Sequence, residues 1–157
     1  MKIKWLVFFF AVYAFLGYFR EFFFVHLNII MYQKYYNSVP APALPDVMAI
    51  FESQSYSTLY YSKYIYTLVW TTLYFITGFF AIKKLTGNAY LIRIFAYSYC
   101  ALCLLAMFSM AYGYFVNNRL QDDEYTLSRW LLGIAQSPII CLILVASEKL
   151  YNKSFQS

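Results

Sequence analysis

Long runs of apolar side chains, parted by short polar intervals, dominate the chain from one end to the other. A helix needs about 20 apolar residues to cross the hydrocarbon core of a bilayer. Four segments reach that length: about 3–24, 59–82, 91–116 and 127–146. Arg20-Glu21 interrupts the far end of the first. The pattern predicts an all-α membrane protein, a single four-span domain over residues 1–157 with its four transmembrane helices in an antiparallel bundle.

The intervals between the runs are unequal. Thr86-Gly87-Asn88 predicts a tight turn that makes the second and third spans antiparallel neighbours. Residues 117–126 form a short acidic loop, and about 25–58 form the one sizeable segment outside the membrane. That segment holds Pro40, Pro42 and Pro45, which stiffen it, and then Asp46 as the expected N-cap of a short apolar helix over 47–51. Too short to span and too apolar for water, this helix is expected at the membrane interface. Tyr35, Tyr36, Tyr56, Tyr60, Tyr61, Tyr64 and Tyr66 would form an aromatic belt there. Basic residues orient the chain. Lys2, Lys4, Lys83, Lys84, Arg93, Lys149 and Lys153 gather on one side, in the short loops and span ends that the positive-inside rule weighs. Arg20, Lys34, Lys63, Arg119 and Arg129 fall on the other, with every acidic residue but Glu148. Both termini are therefore expected inside. Lys2 and Lys4 before the run from Trp5 to Phe19, with no small-x-small cleavage site, read as an uncleaved signal anchor.

Composition sharpens this picture. Of 157 residues, 62% are hydrophobic, 24% aromatic and only 12% charged, against about 25% charged in soluble domains. A soluble fold of this length has too little interior for so many large side chains. The net charge of +5 comes from basic residues scattered singly or in pairs, which argues against a nucleic-acid role. Cys100, Cys103 and Cys141 all lie in apolar runs, and an odd number there is no disulfide framework.

Ionisable groups in or near a span cost roughly 2.5–3.5 kcal/mol to insert, so they are functional candidates. Arg20 and Glu21 lead, read either as groups reaching headgroups and water or as members of a network with Arg129, Arg119 and Asp122-Asp123-Glu124. In the last span, Gln136 falls near mid-bilayer, where an unpaired amide is costly. Pro138 frees the carbonyl of Ile134 and kinks the helix. Gly133 and Ser137 form a small-xxx-small pair, and Ser109 and Gly113 another. Together they read chiefly as a packing seam between spans three and four with Gln136 as polar glue, and secondarily as a notch for a substrate or partner. Cys100-Ala101-Leu102-Cys103 matches the spacing of a redox or zinc pair, but mid-span it reads as small apolar filling. His26 is the only histidine and lies too far from either cysteine for a nucleophile–base pair. The expectation is a non-enzyme with no cofactor and no metal.

The segments Phe19-Arg20-Glu21-Phe22-Phe23-Phe24, Tyr60-Tyr61-Ser62-Lys63-Tyr64, and Arg129 with Gln136-Ser137-Pro138 carry a resemblance over most of the length. With them the chain resembles the exosortase F system-associated family of small flavobacterial membrane proteins and its Bacteroidetes relatives. It departs from them in its Pro-rich first outer loop and its C-x-x-C. The resemblance implies a non-catalytic accessory protein of the bacterial inner membrane, associated with sortase-like surface-protein processing. The functional expectation is thus an accessory or assembly subunit that binds a larger membrane protein through its outer loop and a polar seam. Homo-oligomerisation is open. The alternative is a small dimeric proton-coupled transporter with Glu21 as the titrating group.

Overall fold

A computed structural model describes residues 2–36, 44–117 and 126–154. Helix α1 runs over Lys2–Tyr36, and a 3-10 turn at Asp46–Met48 leads into the short helix α2 at Ala49–Glu52. Then follow α3 (Tyr56–Leu85), α4 (Ala89–Asn117), α5 (Thr126–Ala135) and α6 (Ile139–Ser154). Three helices are long and apolar enough to cross a membrane, and α5 with α6 makes a fourth if that pair, bent by 54°, is one span. This is a helical membrane protein.

Helix α1 does not stop near residue 24 as hydropathy predicts but continues to Tyr36. At 1.5 Å per residue it is about 52 Å long. A hydrocarbon core of about 30 Å accommodates about 39 Å of helix even at 40° of tilt. Helix α1 is therefore at least about 13 Å longer than a single crossing needs. The reason for the extension is an amphipathic stripe: Leu27, Ile30 and Met31, at i, i+3 and i+4, are all buried.

The chain divides into two compact units, one of Met1–Tyr13 with Thr71–Ser157 and the other of Ala14–Trp70. In the latter, Leu27, Ile30, Met31, Met48 and Leu59 form a buried cluster. Phe23 meets Tyr66 and Phe51 edge-on, with ring centroids 4.7 and 5.7 Å apart. Lys34 Nζ donates to the carbonyl of Glu52 at 2.7 Å, closing the end of α2. Lys63 Nζ donates to Asn28 Oδ1 at 2.9 Å, joining α3 to α1. Asp46 is not the N-cap expected of it. Pro45 holds that position with φ −59° and ψ 140°, so Asp46 already sits in the first turn, and no side chain caps the helix. One side of this short element, through Met48, is buried, while Val47 and Ile50 are 73% and 72% exposed.

In the other unit, α3 presents Thr71, Tyr74, Gly78, Ala81, Ile82 and Leu85, and α4 presents Leu91, Phe95, Tyr99 and Ala106, all buried stripes at helical spacing. Gly78 sits where a Cβ would collide with the Phe95 ring and stand 2.9 Å from the Tyr13 hydroxyl. This glycine sets the close approach. The expected turn is present. Gly87 adopts φ +74°, ending α3, and Asn88 Oδ1 accepts the Tyr90 N–H at 2.9 Å, starting α4.

Candidate functional site

The segment expected as the last span is two helices rather than one kinked helix. Proline at position 138 has no N–H to give the carbonyl of Ile134. Ser137 supplies both replacements: its backbone N–H reaches that carbonyl at 3.2 Å and its hydroxyl at 2.7 Å. The same hydroxyl faces the N–H of Ile139 at 3.4 Å, and the Pro138 carbonyl accepts the N–H of Leu142 at 2.9 Å. Ser137 thus offers its hydroxyl to the entry of α6, and Pro138 stands immediately before the helix, where its missing N–H costs no intrahelical bond. The expected kink is a capped restart.

A break inside a membrane frees backbone carbonyls that lipid cannot solvate. The carbonyl of Ala135 would bond to residue 139 in a continuous helix. Instead it accepts the hydroxyl of Tyr99, from α4. Gln136, 4% exposed, donates through Nε2 to Thr71 Oγ1 on α3 at 2.8 Å. Thr71 is itself buried, as is Ser128 on α5. Two helices therefore hold the break in place, α4 through a tyrosine and α3 through a threonine.

Helix α4 packs against both α5 and α6, as expected of spans three and four. Gln136 acts as polar glue, but to the second span. Gly133 is not part of a close helix approach: a Cβ added there meets nothing within 4 Å. The face of α5 that turns inward carries Ser128 and Ala135, leaving Gly133 outward with exposed Arg129 and Trp130.

Gln136, Ser137 and Pro138 thus come together at the break, with Arg129 two turns earlier in the same unit. Arg20, half-buried, and Glu21, exposed, belong to the Ala14–Trp70 unit. Arg119 and Asp122-Asp123-Glu124 lie outside the described residues. His26 Nδ1 is 2.7 Å from the carbonyl of Phe22, one turn back on its own helix. Cys100 is exposed, Cys103 half-buried and Cys141 buried. Among the described residues no group of three His, Cys, Asp or Glu side chains is placed to hold a metal ion.

No protein-family model, curated protein or solved structure matches the chain. What it does must be read from its own side chains. Sequence reasoning missed Thr71 and Tyr99. The signal for Tyr99 was its place one turn after Phe95 and two after Leu91, which marks an inward hydroxyl.

Proposed function

We propose that this protein is a non-catalytic accessory or assembly subunit of a bacterial inner-membrane system, with both termini in the cytoplasm. Its partner is a larger membrane protein, and the resemblance to exosortase-associated proteins makes surface-protein processing the setting. The observation that carries this reading is the surface of the Ala14–Trp70 unit. Toward its C-terminal end, past the length one crossing needs, α1 exposes Tyr32, Tyr35 and Tyr36, and the short helical element of the same unit exposes Val47 and Ile50. Aromatic and aliphatic side chains gathered beyond the membrane are characteristic of protein contact surfaces. The amide of Gln136 and the hydroxyls of Thr71 and Tyr99 are meanwhile engaged with one another's helices, which is what a scaffold needs.

The test is a gentle-detergent purification of the tagged chain from its native membrane, with mass spectrometry, in wild type, Val47→Asp/Ile50→Asp and Arg20→Ala/Arg129→Ala forms matched for expression. One dominant membrane protein recovered with wild type and lost from either double variant supports the reading. A monodisperse homodimer without a partner overturns it.

One observation favours the second reading, a small dimeric proton-coupled transporter. Glu21 lies well inside α1, which continues from it to Tyr36, so the end of the helix does not fix Glu21 at the membrane surface. Proton-driven uptake into vesicles that Glu21→Gln abolishes would establish this reading over the first.

A further inference from the structure

The bend between α5 and α6 leaves an open groove of about 420 Å³ on the outward side of the last span, lined by Arg129, Trp130, Gly133, Ile134 and Ile139. Its chemistry is divided. Arg129, exposed and with no hydrogen-bond or ion-pair partner among the described residues, stands at the end where α5 begins. Gly133, one turn on and on the same face, leaves the floor open, since nothing lies within 4 Å of where its Cβ would be. Trp130, 70% exposed, and Ile134 from α5 and Ile139 from α6 complete the lining. The trench is apolar from Gly133 to Ile139 and cationic at one rim.

A cation facing lipid at a span end needs an anion at headgroup depth. The guanidinium matches a phosphate bidentately, and an apolar trench continuing from it along the span matches an acyl chain. We propose that this groove holds one phospholipid of net negative headgroup charge, its phosphate on Arg129 and an acyl chain over Gly133 between Trp130 and Ile139. A zwitterionic lipid carries the same phosphate but screens it with its own ammonium, so charge selects between them. This lipid seat does not depend on which face of the membrane Arg129 reaches, and Gly133→Leu, which the partner test does not use, separates it from the accessory reading.

The experiment is thermal unfolding of the full chain in neutral detergent with added phosphatidylglycerol or phosphatidylcholine of identical acyl chains. Wild type should gain more in Tm from phosphatidylglycerol. That preference should vanish in Arg129→Gln and in Gly133→Leu, whose Cβ has nothing within 4 Å and whose side chain would occupy the floor. It should persist in Lys149→Gln, an exposed cation outside the groove. Equal gains from both lipids, survival of the preference in Arg129→Gln, or its loss in Lys149→Gln would each overturn the proposal. So would a wild-type dimer that Gly133→Leu converts to monomer with no lipid preference, since a second copy would then be the occupant. Should a variant fail to fold, native mass spectrometry of the wild type decides alone. One phosphatidylglycerol retained under activation that strips phosphatidylcholine supports the seat, and no discrete one-lipid species refutes it.

Discussion

The two compact units are built from similar aromatic-rich helices, yet different forces hold them. The Ala14–Trp70 unit is closed by Leu27, Ile30, Met31, Met48 and Leu59, a cluster with no polar member. The unit that holds the α5–α6 break adds to its buried apolar stripes a glycine under a phenyl ring and two buried hydrogen bonds, Gln136 to Thr71 and Tyr99 to Ala135. The environment explains the contrast. Lipid tails are as apolar as leucine, so helices in a bilayer gain nothing by hiding apolar area and associate through close packing and polar contacts. Apolar burial outside hydrocarbon removes surface from water and is worth about 25 cal/mol per Å², and α1 is longer than a single crossing needs. One composition is thus held together by two kinds of chemistry along the length of the same helices.

Substitutions can break or sharpen that contrast. The largest effect should come from Leu27→Ala, fully buried in the apolar cluster, at about 2–5 kcal/mol of unfolding free energy, read by denaturation in mixed micelles. Tyr99→Phe keeps the ring and removes the hydroxyl, so the Ala135 carbonyl is stranded. About 1–3 kcal/mol should be lost, and amide hydrogen exchange should quicken at residues 136, 137 and 139. Gln136→Leu should cost less, about 0.6 kcal/mol and at most about 1.7, as hydrogen bonds between membrane helices do. A cost equal to that of Leu27→Ala would erase the distinction between the units. The smallest change should follow Lys34→Met, which removes one exposed hydrogen bond to the Glu52 carbonyl. About 0.5 kcal/mol should appear as faster proteolysis around residues 44–55, with global stability unmoved.

The apolar runs, the turn at Gly87 and the disturbance at Pro138 were all legible in the sequence, because each rests on a property of single residues: transfer cost, backbone freedom, a missing N–H. Past residue 24 hydropathy misled. The polar Asn28, Gln33 and Lys34 lower the average, while Leu27, Ile30 and Met31 keep one face apolar, so periodicity marked the helix that averaging ended. Asp46 was misplaced by a single position because Pro45 took the cap. Partners were the least legible. That Gln136 needed a hydrogen bond followed from its depth, but that Thr71 supplies it depends on helix rotation, on which spacing is silent. Gly133 looked like a packing residue, and only the direction it faces places it in the open groove.

The restart at Ser137-Pro138 also bears on the order in which the chain is made. The ten residues of α5 rise about 15 Å and the sixteen of α6 about 24 Å, so neither matches a hydrocarbon thickness of about 30 Å. A ribosome releases α5 first, as a stub too short to commit to lipid. By then α3 and α4 have already emerged, carrying the threonine and the tyrosine that the stub's exposed end requires. If α5 and α6 cross as one span, that crossing is assembled against helices that precede it, and a chain with those two side chains altered should stall with its C-terminal segment on the side from which α5 started.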